Sequence, residues 1–426
     1  MIVLLYFQFD ESLRPQLKCK YSKNARNEQI KGKRHHARVA DLVFMLKMIK
    51  FASETRSKPK TMNKIILTMC LMALGVMAQA VEWQWYNPMD AGFPTVQNQA
   101  YGDEIDKTYY RMPDRAKQSV RKDVWDLSRN SAGLAVYFSS DADQFKIRYV
   151  VTGGKAMSHM PATGVSGIDL YRVDGKGDTD RCVGYWSFGD TVSYSIRNTV
   201  PDHHKGEPYD FRLYLPLYNT VEWLEIGIPE GAKLTFMSAE KEKPVVVYGT
   251  SIAQGACASR PGMCWTNIVQ RELDMPLVNF GFSGNGRLEP EVLDFMNEID
   301  SRLFILDCLP NLDTEKEADV EMLLRNAIEQ LRKKGDIPIL LVDHIGFSNI
   351  ATDSVKKINV AKLNRVNKRV FEDLKKRGVR NLHHLAEEQM GLKQDDWVDD
   401  IHPSDLGMRK QADAVIKKVA KILNIK

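Results

Sequence analysis

Cysteine is scarce in this chain. Of six in 426 residues, Cys19 and Cys70 lie within the first eighty, which leaves Cys182, Cys257, Cys264 and Cys308. Four thiols across so long a segment exclude a disulfide scaffold, although Cys257 and Cys264, close together in one loop, are placed to pair if they are not buried thiols. Long apolar runs are also missing. The longest, Ile65 to Met77, is shorter than the roughly 20 residues a membrane-spanning helix needs, so no integral membrane segment is expected after it. There is no phosphate-cradling glycine loop and no dinucleotide fingerprint, and no cofactor is expected. His203-His204 and His383-His384 lack companions at ligand spacing, so no metal site is expected either. No internal repeat or low-complexity tract interrupts the chain.

What is present begins with a leader. Met62-Asn63-Lys64, the apolar stretch 65–77 and Ala78-Gln79-Ala80 together have the grammar of a secretory signal peptide. Such a signal is read at an N-terminus, so residues 1–61 are expected to be a mis-called upstream extension, and the product to be secreted or periplasmic once cleaved near Ala80. Cys70 follows Leu67-Thr68-Met69, which is not a lipid-attachment box. Residues 1–80 carry fifteen of the 60 Lys and Arg and five of the 55 Asp and Glu, so the formal net charge of +5 becomes −5 without them. A basic chain would point to nucleic acid; an acidic remainder removes that partner class.

The remainder changes grammar near residue 241. Before it, short segments alternate with period two, among them Leu134–Phe138, Phe145–Val151, Gly167–Val173, Tyr209–Leu215 and Val221–Gly227. They predict an antiparallel β-sandwich over 81–240. After the link Glu240-Lys-Glu-Lys-Pro244, apolar runs at Val245–Tyr248, Leu277–Phe282, Leu303–Cys308 and Ile339–Val342 alternate with helices over roughly 263–273, 288–299, 315–334, 354–377 and 405–423. Strict alternation predicts a three-layer α/β/α domain on a parallel sheet over 241–426.

In such a sheet, ligands bind beyond the carboxyl ends of the strands. Ser251 follows the first strand through Gly249, which permits a sharp turn; Gly284 follows the second, and Asn311 the third. Asp399-Asp400-Ile401-His402 precedes the last helix in a loop able to return to that rim. A serine hydroxyl needs a base to become a nucleophile, and His402 is the candidate, with Asp399 available to hold its other ring nitrogen. The Ser251 and Gly284 N–H groups and the Asn311 amide are candidate donors to an oxyanion. Asp343-His344 ends a strand at the same rim, where His344 can line a pocket or serve a structural role, and Arg260 lies close behind Ser251, where it can meet substrate or stand as an exposed loop arginine.

These blocks together resemble the SGNH/GDSL hydrolases. Gly249-Thr-Ser-Ile252, Ser283-Gly284, Leu309-Pro-Asn-Leu312 and Asp399-x-x-His402 match the family's four motifs in order. The resemblance implies flavodoxin-like strand order, Ser251 as nucleophile, Gly284 and Asn311 in the oxyanion hole, His402 as base and Asp399, rather than Asp400, as its partner. Thr250 stands where the family usually has Asp, which makes it a further pocket candidate, and Leu309 and Leu312 stand where Gly and Asp are usual. In the sandwich, His159-Met-Pro161 and Gly164-Val-Ser-Gly-Ile-Asp-Leu-Tyr171 resemble the N-terminal domain of two-domain secreted bacterial members. By resemblance, the expected substrate is an acetyl or other short acyl ester on a polysaccharide or oligosaccharide. A lipase or thioesterase with the same triad, and a glycan-binding protein without chemistry, are the alternatives. Tyr185, Trp186 and Trp223 are suited either to stacking on sugars or to the sandwich core.

Overall fold

The computed structural model describes residues 81–425 apart from 106, 176 and 202–205. The leader, the upstream extension and His203-His204 therefore lie outside the described residues. Val81–Lys426 forms one compact unit.

The N-terminal half is a two-sheet antiparallel β structure. Its strands are β1 (Trp83–Tyr86), β2 (Val96–Gln97), β3 (Ala135–Ser140), β4 (Gln144–Val151), β5 (Asp169–Val173), β6 (Thr179–Cys182), β7 (Gly184–Phe188), β8 (Val192–Arg197), β9 (Tyr209–Tyr214), β10 (Val221–Pro229) and β11 (Leu234–Phe236). One sheet has the order β1-β10-β4-β8-β7, and the other β11-β3-β9-β5-β6 with β2 beside β3. Along β4, Phe145, Ile147, Tyr149 and Val151 point inward and are buried, as period-two alternation requires. Phe138, Phe145 and Phe211 meet between the sheets with ring centroids 4.9–5.5 Å apart. Strands β6 and β7 escape the sequence pattern because neither has a fully buried residue, so no apolar alternation marks them.

Strands β12 (Val245–Gly249), β13 (Leu277–Gly281), β14 (Leu303–Asp307), β15 (Ile339–Val342) and β16 (Leu382–Leu385) form a parallel sheet of order β13-β12-β14-β15-β16. Within the sheet this is second-first-third-fourth-fifth, the flavodoxin-like order, whose switch point lies beside β12. Strand β16 has no apolar run in the sequence to announce it. Its Leu-His-His-Leu run lacks the apolar density of the others, because His384 pairs with Asp343 at the end of β15 (2.8 Å). The helices that pack on the sheet or border its rim include α1 (Ser251–Gln254), α2 (Trp265–Leu273), α3 (Pro290–Glu298), α4 (Glu317–Arg332), α5 (Ser354–Lys376) and α6 (Asp405–Leu423). Val245 and Val247 face a core shared with α2 and α6, while Val246 and Tyr248 face one shared with α3, α4 and α5. Burial on both faces explains why β12 reads as a continuous apolar run.

The two halves share core. Tyr101, Met112, Val120 and Val124, which precede the main body of the sandwich, pack into the cluster that covers Val246 and Tyr248. Arg111, fully buried, donates from Nη1 to the carbonyls of Asn279 (3.0 Å) and Gly281 (2.8 Å) at the end of β13. Burial pulls its pKa down to about 9, and the carbonyl cage satisfies the guanidinium where water cannot reach.

Candidate active site

The chain leaves β12 through Gly249, and Thr250 becomes the N-cap of α1, its side chain accepting from Ile252 N–H at 3.3 Å. Ser251 is therefore the first residue of a one-turn helix that Gly255 ends in the left-handed region at φ 108°. It is only 6 % exposed. Its carbonyl accepts from Tyr218 O–H at 3.2 Å, a contact from the N-terminal half that fixes the turn. The loop before α6 is closed by a bridge between Trp397 and Pro403 and by a hydrogen bond from Val398 N–H to His402 O at 3.0 Å. This closure carries His402 back to the rim.

Ser251 Oγ lies 3.0 Å from His402 Nε2, and His402 Nδ1 lies 2.8 Å from Asp399 Oδ2. An ionised carboxylate only accepts, so Nδ1 carries the proton and Nε2 is free to accept the serine proton. The other Asp399 oxygen accepts from the backbone N–H groups of Ile401 (2.8 Å) and His402 (2.7 Å). Burial pushes the Asp399 carboxyl up, but the His402 ring and those two N–H groups outweigh it and hold the group below its ordinary pKa. Asp400 faces elsewhere, pairing with Lys356.

Gly284 sits in the left-handed region at φ 68°, with open space where a Cβ would point. Its loop is tied to the helix that carries Ser251 by Gln254, whose Oε1 accepts from Ser283 N–H (3.0 Å) while Nε2 donates to Asn130 Oδ1 (3.1 Å). Two residues on, a Cβ at Gly286 would stand 2.4 Å from Gly249 O, so only glycine lets this loop pass the end of β12. Asn311 Oδ1 accepts from that Gly286 N–H at 3.0 Å, leaving the Nδ2 amide as the donating end. Leu309 and Leu312 are buried on either side and lock the short 3₁₀ turn that presents Asn311. Ser251, Gly284 and Asn311 thus lie at the ends of three adjacent strands, beside a serine–histidine–aspartate relay.

Three other expected pocket residues are engaged differently. Arg260 turns to the sandwich, donating from Nη1 to Asp169 Oδ2 (2.8 Å) and Tyr171 O–H (2.6 Å). Thr250 is fully buried as the cap of α1 rather than turned to a pocket. His344 is also buried; its Nδ1 accepts from Gly346 N–H at 2.9 Å, and burial drives its pKa down to about 3, so the ring is neutral. Cys257 and Cys264 are both free thiols. They do not pair because Cys264 Sγ faces Ala253 O (3.5 Å) and Thr266 Oγ1 (3.1 Å), while Cys257 Sγ faces His159 O (3.3 Å).

The sequence reading missed two groups at the site. Gln254 links the Ser251 turn to the Gly284 loop, and His159, from the N-terminal half, lies with its ring 5.7 Å from that of His402 and within 18° of parallel. Spacing gives no signal for either. The His159-Met-Pro161 segment was legible as a motif, but not as a neighbour of residue 402.

Comparison with known proteins agrees with this architecture. Residues 242–420 match the GDSL-like lipase/acylhydrolase family, and residues 83–234 match the family described as the N-terminus of SGNH-hydrolase-type esterases. No curated protein matches the chain. Among solved structures, a protein described as a GDSL-like lipase from Bacteroides ovatus is similar at 28% identity and a TM-score of 0.73, covering 81% of this chain and 99% of its own. A salicylyl-acyltransferase from a tetracycline biosynthetic pathway shares the fold at 18% identity and a TM-score of 0.63, covering 80% of this chain and 98% of its own. With its motifs, its strand order and both domain matches in agreement, the chain belongs to the SGNH/GDSL hydrolase family and is an ester hydrolase.

Proposed function

We propose that the protein is an exported serine esterase that removes short acyl groups, acetyl above all, from polysaccharide. The observation that carries the reaction is the relay of 3.0 Å and 2.8 Å from Ser251 through His402 to Asp399. His402 Nε2 takes the proton as Ser251 Oγ bonds to the ester carbonyl carbon. The oxyanion is held by the N–H groups of Ser251 and Gly284 and by Asn311 Nδ2. Collapse expels the sugar hydroxyl, which receives the proton from His402, and water repeats the sequence to release the acid. No cofactor enters these steps. Export rests on the leader pattern of Met62 to Ala80.

The carbohydrate reading draws support from the outer face of the sandwich. Tyr185, on that face of the edge strand β7, is 82 % exposed, and Trp186, 49 % exposed, turns to the opposite face, where its ring lies 5.9 Å from that of Tyr194. Register aligns Tyr185, Ser195, Lys146, Gly227 and Trp85 across five strands, a row about 19 Å long at the usual strand spacing. Trp85, Tyr185 and Trp186 border a groove of about 390 Å³ whose lining includes Lys146, Arg148, Ser193 and Ser195. Arg148 lies 3.8 Å above the Trp85 ring and 5.4 Å from that of Trp223, so both rings are held before any ligand arrives. Aromatic faces beside hydroxyl and cationic donors suit a sugar chain, which offers C–H faces and hydroxyl edges.

Ser251→Ala is expected to remove hydrolysis of an acetyl ester reporter by at least about 10⁴-fold with the fold intact by circular dichroism. Unchanged turnover would refute the assignment. Octanoyl esters should be cleaved more slowly than acetyl esters; clear preference for the longer chain would favour a lipase. Tyr185→Ala with Trp186→Ala should reduce retention on insoluble acetylated polysaccharide while leaving reporter hydrolysis unchanged. Equal retention would remove the groove from the account.

A further inference from the structure

No stretch of the sequence carries metal ligands at a recognisable spacing, yet folding gathers four donors of the right kinds. His159 comes from the N-terminal half, Cys257 from the loop after α1, and Asp399 and His402 from the loop before α6. One ligand atom from each lies within 4.8 Å of the others. Cys257 Sγ is 4.0 Å from Asp399 Oδ2, and the His159 ring stacks beside that of His402. Cys257 also holds a left-handed backbone, φ 65°, a region that non-glycine residues seldom adopt.

We infer that His159, Cys257, Asp399 and His402 form a zinc-binding site that, when filled, switches the esterase off. Zinc takes thiolate, imidazole and carboxylate ligands in a tetrahedron of about 2.0–2.3 Å bonds, which sets the ligand atoms about 3.3–3.8 Å apart. From a largest separation of 4.8 Å, the four close by about an ångström. His159 is exposed and can supply that movement through its side chain. As the Zn–S bond forms, the Cys257 thiol proton leaves to solvent. Thiolate and carboxylate then balance the charge of the ion, and both imidazoles bind neutral. Nothing is oxidised or reduced.

The consequence follows from sharing two residues with the relay. Asp399 bound to zinc no longer orients the imidazole, and His402 held by the ion is no longer placed to shuttle the serine proton. Zinc binding and turnover therefore exclude one another. The ion acts as an inhibitor rather than a cofactor, since the relay moves its proton through protein groups alone. Inhibition rests on the proposed roles of Ser251 and His402; binding does not.

The test titrates zinc ion into metal-free protein spanning residues 81–426, with binding followed by competition against a chromogenic chelator and activity by an acetyl ester reporter. One zinc per chain should bind, activity should fall in parallel, and EDTA should restore it. Cys257→Ala should keep activity without zinc, and in both Cys257→Ala and His159→Gln affinity and inhibitory potency should weaken by at least about 10-fold. Ser251→Ala should bind zinc as the parent does, which separates a failed site from a failed nucleophile. Absence of stoichiometric binding, or equal zinc sensitivity in both ligand variants, would overturn the site. Binding without inhibition in an active parent would overturn the switch.

Discussion

Asn311 shows how one side chain is given one job. Its oxygen is already accepting from Gly286 N–H at 3.0 Å, which leaves the amide nitrogen as the end that would donate to the proposed oxyanion. A donor that acts chiefly on the oxyanion should affect turnover more than substrate binding. Asn311→Ala is accordingly expected to lower kcat by about 10²–10³ while KM changes by no more than a few fold, measured by steady-state hydrolysis of a soluble acetyl ester. A KM effect of the same size, with kcat preserved, would place Asn311 in ground-state binding instead. Its place was legible, because it follows a strand end at the rim. Its orientation was not, since Gly286 lies 25 positions away in sequence.

At the scale of elements, the clamp between β5 and the loop after α1 gives physical meaning to the Gly164–Tyr171 motif. Asp169 is nearly inaccessible at 3 % exposure, and it accepts from Arg181 Nε (2.9 Å), Arg260 Nη1 (2.8 Å) and Gly262 N–H (2.9 Å). A Cβ at Gly164 would fall 2.2 Å from Ala258 O, so the motif also allows the two halves to touch backbone to backbone. On the far side of the same loop, Ser259 donates from N–H (2.8 Å) and Oγ (2.5 Å) to Asp405, which begins α6 just beyond His402. Removing the buried carboxylate leaves two guanidinium groups and an N–H without their acceptor. Asp169→Ala is expected to cost about 3 kcal/mol, read as a lower urea midpoint with an unchanged m-value. A loss below about 1 kcal/mol would show that the clamp contributes little to stability. Sequence grammar marks this segment as a motif but leaves Arg260 open between a substrate contact and an exposed loop arginine, because it does not show which carboxylate waits across the interface.

At the scale of the whole molecule, the parallel sheet places a carboxyl group deep inside the fold. Asp307 ends β14; burial drives its pKa up to about 8, against which the hydrogen bond from Gln411 Nε2 at 3.2 Å works only partly. An unfolded Asp titrates near 3.9, so between about pH 4 and pH 8 the native state holds a proton that the unfolded chain has lost. The contribution of Asp307 to stability is therefore complete below the unfolded value and is lost as pH rises through about 8. Asp307→Asn keeps the shape and removes the titration. The melting temperature of the variant minus that of the parent should grow more positive from pH 5 to pH 8.5, by differential scanning fluorimetry. A difference independent of pH would mean that the carboxyl is ionised in the folded state throughout.

What the sequence determined by itself is what local chemistry and period can encode. Apolar runs separated by amphipathic helices specify the parallel sheet, and period-two segments specify much of the sandwich. Chain order puts Ser251, Gly284 and Asn311 after successive strands. Tertiary structure alone decided what depends on distant partners. It set the edge strand β16, whose histidines are tolerated because His384 meets Asp343; it engaged Arg260 with Asp169; it kept Cys257 and Cys264 apart; and it brought His159 beside His402 across 243 positions of chain. A local pattern records which face of an element is buried. Which polar group it will face is fixed only when the halves pack, because hydrogen bonds and ion pairs act over a few ångströms of space, whatever the separation along the chain.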